Sequence, residues 1–247
     1  MKNPKHISFK RLKKTFIFTL GHLSWVLSVI IGCQFVLSWI AKILNFHSLS
    51  PVQMTIFTAI YYTISLLLII FIPKIIKQRW RTNREELGLS GAPTWTDIGL
   101  APIGFAVSIL LIAMFNALFS LFPWYNITET QNIGYHNLIN IPERLAALIS
   151  LVILAPIMEE IIFRGWLYGR LRTKLNLSVA MIIVSLLFGL VHGQWNVGIT
   201  TFAMSLVLCG LRKITGTIYS GIILHMIKNA IAFLFLFIIN SPNSIIN

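Results

Sequence analysis

The chain has 247 residues, of which 56% are hydrophobic and only 11% charged, with a mean hydropathy of +0.80. A soluble domain carries about 25% charged residues, so this composition excludes a soluble globular protein and describes a polytopic membrane protein. The formal net charge is +13, but the basic residues gather between apolar runs, the pattern of loops facing anionic lipid, and not that of a nucleic-acid binder.

Residues 1–14 form a basic segment with Lys2, Lys5, Lys10, Arg11, Lys13 and Lys14. The first span is expected over 15–41. It is too long for a signal-peptide core and no cleavage site follows it. Ile30-Ile31-Gly32-Cys33 has the look of a lipoprotein box, but the apolar run continues past Cys33, so the match is a coincidence. His22 reads as a packed or interfacial residue and not as a ligand. The second span, 54–72, is expected to stop at Pro73. A basic loop follows with Lys74, Lys77, Arg79, Arg81 and Arg84, ending in Glu85-Glu86-Leu87-Gly88-Leu89 and a turn-rich Ser-Gly-Ala-Pro. The third span is 98–122, and 123–142 is polar without Lys or Arg. A fourth helix runs from Glu143 to about Lys174. Within it Pro156 is expected to free a backbone carbonyl and kink the helix. The fifth helix is 177–195. The sixth, 197–211, is short at about 22 Å. After a turn at Thr215-Gly216 the seventh runs over 217–239, and the tail 240–247 is uncharged.

The expectation is an all-α membrane bundle of about seven transmembrane helices in a single membrane domain. Three spans occupy 15–142 and a four-helix core 143–239. Nearly all Lys and Arg lie in the N-terminal segment and in the loops after spans two, four and six. That asymmetry places the N-terminus in the cytoplasm and the C-terminus outside, in a multi-pass protein of the cell membrane. Cys33 and Cys209 both fall in apolar spans and read as free thiols, which leaves no disulfide framework and no cysteine zinc site.

Only seven residues are acidic, and two of them, Glu159 and Glu160, stand together inside an apolar helix. A charge at bilayer depth costs several kcal/mol, so such residues are functional candidates. Glu160 and Arg164 share a helix face four residues apart and can pair. Glu159 lies about 100° round the helix and is left outside that pair. A buried ion pair with a spare glutamate is the competing reading. His192, His225 and Asn229 are the other polar residues at depth, the last two on one helix face. Counting along the helices from their turns puts Glu159, His192 and His225 at comparable depth, in a cavity expected to open on the cytoplasmic side. A glutamate and a histidine can hold and deprotonate water, while a histidine and an asparagine amide can donate to an oxyanion. Zinc held by Glu159, His192 and His225 is the alternative, although no His-Glu-x-x-His is present.

Glu159-Glu160-x-x-x-Arg164, Phe188-x-x-x-His192 and His225-x-x-x-Asn229 occur in this order on separate helices. Together they resemble the three motifs of the CAAX protease and bacteriocin-processing (CPBP, or Abi) family of intramembrane proteases. The resemblance covers about 143–233, with Glu85 to Leu89 similar to a segment common upstream in such proteins. It implies a peptide-bond hydrolase with no cofactor. Glu159 would activate water with the help of His192, His225 and Asn229 would form the oxyanion site, and Glu160 and Arg164 would support them. The implied partner is a membrane-associated peptide or protein. Bacterial members of the family include bacteriocin immunity proteins, so a bacteriocin or its receptor is a further candidate partner. Lys228, beside the His225 pair, either snorkels toward the lipid surface or holds a substrate carboxylate. The competing functions are a non-proteolytic immunity or receptor-interacting protein with the same fold, and a transporter. The sequence shows no inverted repeat of the kind common in transporters.

Overall fold

The computed structural model describes residues 9–43, 49–77, 82–129 and 140–239, with Tyr135 and Leu138 between. Expectations for residues 1–8, for Arg79 and Arg81, for most of 130–139 and for the tail from Asn240 lie outside the described residues.

Every regular element among the described residues is helical, and there are seven helices. Six are long and apolar enough to cross a membrane: α1 (Phe9–Ile43), α2 (Pro51–Pro73, continuing to Lys77), α3 (Trp95–Phe119), α4 (Ile141–Arg172), α6 (Trp195–Thr215) and α7 (Tyr219–Ile239). The remaining helix, α5 (Leu177–Leu190), has 14 residues, about 21 Å at 1.5 Å per residue and shorter than a ~30 Å hydrocarbon core. The short helix is therefore the fifth and not the sixth. Gly193 takes φ +69°, and the His192 and Gly193 amides turn back to the Gly189 and Leu190 carbonyls, a left-handed stop that ends α5 early. The apolar run beyond it already belongs to α6. Pro73 does not end α2, which continues for one more turn, since a proline that close to a helix end removes few interior bonds.

The core is built around α4. Ile162, Phe163, Trp166, Leu167 and Leu171 are each at most 2% exposed and pack against Val26 of α1, Val184 and Phe188 of α5, Leu208 of α6 and Leu224 of α7. His22 is buried among them, its Nδ1 2.7 Å from the Phe18 carbonyl and its ring against Phe18 and Trp166. Cys33 and Cys209 are buried and free. Helices α5 and α6 come into backbone contact, because a Cβ on Gly189 would lie 2.6 Å from the Gly198 carbonyl oxygen.

Two caps order the helix starts. Thr94 and Asp97 form a reciprocal capping box at the start of α3. Asp97 also accepts from Thr217 Oγ1 at 2.5 Å and Ser220 Oγ at 3.1 Å, tying the starts of α3 and α7 together. Asn140 and Glu143 cap α4 in the same way.

The 82–91 segment locks one end of the bundle. The Gly88 carbonyl accepts from Ile218 N at 3.0 Å, the Glu86 carbonyl from Arg212 Nη2 at 3.0 Å, and the Gly91 carbonyl from Tyr219 Oη at 2.8 Å. Gly165 lets the backbone come close, since a Cβ there would meet the Leu87 carbonyl oxygen at 2.9 Å. Gly88 itself needs its φ of +73°. The segment that read as Glu85 to Leu89 in the sequence is thus a clip joining α4, α6 and α7.

The loops segregate. The clip, the 173–176 turn and the Gly216 turn lie at one end. At the other, Gln194 and Asn196 donate to the carbonyls of Ile127 and Glu129. The first set of loops is the basic one and the second is the one without Lys or Arg, so the charge asymmetry corresponds to two physical ends of the bundle.

Candidate functional site

Helix α4 departs from α-helical pitch on both sides of the glutamates, with π-helical turns at Ile149–Leu154 and Ile161–Tyr168. Such bulges recur at functional sites. Pro156 accounts for the first. In the wider register Ala155 N donates to the Ser150 carbonyl. The next residue, Pro156, has no N–H to offer Leu151. The carbonyl so released accepts from Asn229 Nδ2 at 2.8 Å. The freed carbonyl that Pro156 implied is therefore real, and α7 takes it up. This bond fixes which end of the Asn229 amide faces α4 and leaves one N–H and the oxygen for other partners.

Glu160 and Arg164 pair at 2.8 Å, both fully buried. Phe188 lies under the guanidinium, 4.2 Å from ring centroid to Arg164 Cζ. The same ring meets Phe163, His192 and His225 at centroid distances of 4.9, 5.1 and 6.0 Å. The phenylalanine of the second motif thus joins the other two, through a cation–π contact and three edge contacts. Gly221 gives Glu160 its room, since a Cβ there would lie 3.0 Å from Oε2.

Glu159 stands clear of the Arg164 pair, as the helical offset predicts. Its Oε1 accepts from the Tyr62 hydroxyl at 2.5 Å. Its Oε2 faces His225 Nε2 at 3.9 Å, a gap that a bridging water spans better than a direct bond. His225 Nδ1 is 3.2 Å from Glu160 Oε1, and a carboxylate partner assigns the proton to that nitrogen. His225 therefore touches both glutamates. His192 sits on the turn after α5 and not inside a helix. Its Nδ1 is 2.7 Å from the Phe188 carbonyl, which leaves Nε2 for other partners, and the ring interacts electrostatically with Glu159, Lys228 and His225.

The structure thus brings Glu159, Glu160, Arg164 and His225 into one connected cluster. It places His192 beside that cluster through Phe188 and holds Asn229 one turn beyond His225. Lys228 lies near enough to interact with Glu159. Among the described residues no three His, Cys, Asp or Glu side chains are grouped as a metal site. Tyr62 was not found from the sequence. A Tyr61-Tyr62 pair in an otherwise apolar span is a signal of sorts, but nothing links it to a glutamate 97 positions away.

Burial differs across the cluster. Toward the basic end it is closed by Arg164, Leu167, Leu208 and Leu224, each 0% exposed. Glu159, His192, Lys228 and Asn229 keep partial exposure.

Residues 141–231 match the profile described as Type II CAAX prenyl endopeptidase Rce1-like. A 77-residue stretch is 36% identical to the Bacillus subtilis (strain 168) protein named "Putative membrane peptidase YdiL". That match spans 31% of this chain and 32% of that protein, so the chain covers about a third of the length of the curated relative. No solved structure matches the chain. The matched segment contains all three motifs and every residue of the cluster but Tyr62. The chain is thus similar, over residues 141–231, to the Rce1-like CAAX prenyl endopeptidases.

Proposed function

We propose that the chain is an intramembrane endopeptidase that hydrolyses a peptide bond of a membrane-associated peptide or protein. The observation that carries this reading is the state of Glu159: a carboxylate outside the Glu160–Arg164 pair, oriented by Tyr62 and facing His225 across 3.9 Å. That gap suits a water held between them, with His192 as a further holder. In the proposed step Glu159 takes a proton as the water oxygen bonds to the substrate carbonyl carbon. The oxygen of the tetrahedral intermediate takes up the negative charge. Asn229 donates to it with the N–H that Leu151 does not use. His225 donates from Nε2 when both ring nitrogens carry protons. The intermediate then collapses, the C–N bond breaks, and Glu159 returns its proton to the leaving nitrogen. Glu160 and Arg164 hold His225 and the helix in place.

The reading needs no tightly bound metal. A zinc ion would already polarise the carbonyl and would leave the second Asn229 N–H, the one Leu151 does not use, without a task. Removing one oxyanion donor costs roughly a hundred- to a thousandfold in rate, so Asn229→Ala should be nearly inactive. The test is cleavage of membrane-anchored reporter peptides by purified protein. Glu159→Gln should abolish turnover at unchanged abundance, with no stoichiometric zinc by elemental analysis. One zinc per chain, with activity lost to a chelator and restored by zinc, would sink the scheme. The finer physiological reading, protection of the cell against a bacteriocin, rests on the sequence resemblance. It requires that Glu159→Gln cells become as sensitive as cells lacking the protein. Retained protection would favour the non-proteolytic immunity reading.

A further inference from the structure

At the basic end of the bundle, between α4, α6 and the clip, lies a cavity of about 380 Å³, room for roughly a dozen waters at ~30 Å³ each. Neither Glu159 nor Glu160 lines it, and it serves no step of the proposed hydrolysis. Its wall carries four cations, Arg170, Arg172, Arg212 and Lys213, against one carboxylate, Glu86.

These are not loose surface charges. Arg170 is held by Thr82 at 2.5 Å and by Glu86 at 3.5 Å. Arg172 donates to the Leu175 carbonyl at 2.6 Å. Arg212 donates to the carbonyls of Glu86 and Gly216. Each of these bonds takes only part of a five-donor fork. All three guanidinium groups are therefore fixed in position, and those of Arg172 and Arg212 still have N–H groups to offer, which lowers the ordering cost of binding an anion. Lysines and arginines that only set topology have no need of a shaped, half-buried cavity.

The location narrows the anion. The cavity sits where the membrane-spanning helices end, at the level of lipid headgroups. Beside it Ile214, next to Lys213, is 70% exposed, an apolar surface fit for an acyl chain and of no use to a free inorganic ion. We propose that this cavity binds the phosphodiester headgroup of an anionic phospholipid through Arg170, Arg172, Arg212 and Lys213. A lipid held there bridges α4 to α6 beneath the clip and stabilises the end of the bundle that closes the glutamate cluster.

The test uses the full chain purified in an uncharged detergent. Its thermal midpoint is followed while short-chain phosphatidylglycerol, phosphatidylcholine or inorganic phosphate is titrated. A saturable rise with phosphatidylglycerol alone is expected. Lys213→Gln, an exposed position, should weaken the apparent affinity about fivefold. Arg172→Gln, judged against its own lipid-free midpoint, should do the same. Lys174→Gln removes an equal charge from the adjacent turn outside the cavity and should leave the affinity unchanged. The proposal is overturned if phosphatidylcholine acts equally, if phosphate reproduces the shift, if no lipid shifts the midpoint, or if Lys174→Gln weakens binding as much as Lys213→Gln.

Discussion

The two glutamates differ by one position and share His225, but their other partners differ. Glu160 is fully buried against Arg164, so Arg164→Ala leaves a buried carboxylate without its ion-pair partner and with only the His225 contact. The expected cost is about 3–5 kcal/mol, visible as a fall in membrane abundance and in thermal midpoint. Tyr62→Phe removes one charge-assisted hydrogen bond to Glu159, about 1.5–3 kcal/mol if it orients the base. Turnover should fall by roughly tenfold or more while the midpoint hardly moves. An unchanged rate would mean that the tyrosine only fills space. This contrast was half legible in the sequence. The i,i+4 spacing shows that Glu160 pairs and Glu159 does not. The tyrosine, and the way Phe188 gathers Arg164, His192 and His225 round one ring, depend on which helices are neighbours, and spacing within a helix carries no such information.

Pro156 and Gly189 act at the scale of the helix. Pro156→Ala would supply the missing N–H to the Leu151 carbonyl and compete with Asn229 for it. The variant should be as stable as the parent or more so, yet slower by about tenfold, the loss of one well-aimed donor. A full-speed Pro156→Ala protein would show that Asn229 is positioned by other contacts. Gly189→Ala forces a methyl group against the Gly198 carbonyl and must part α5 from α6. Overpacking of this kind costs typically 1–3 kcal/mol, to be read as a lower midpoint. The existence of the helices could be read from hydropathy because each long apolar run must satisfy its backbone internally. Their ends could not. The run from Leu177 into α6 is nearly continuous in hydropathy, and the break depends on Gly193 taking a left-handed turn. That break also puts His192 on a corner, free to turn its Nε2 toward the site.

For the molecule as a whole, the loops rich in lysine and arginine share one end and the loops without them the other. Reporter fusions at Lys174 and Lys213 should therefore read as cytoplasmic and one at Thr128 as external. The opposite result at Lys174 would reverse the orientation of the bundle. The clip adds a constraint of a different kind. Glu86 and its partner Arg212 are 126 residues apart, and Gly88 waits for the amide of Ile218. A ribosome has made α1 to α5 and nearly all of α6 before the first of these bonds can close. The clip's ties to α4 through Arg170 need no part of α6 or α7 and can close earlier. The hairpin of α6 and α7 thus completes an end of the bundle that α4 and the clip have already begun.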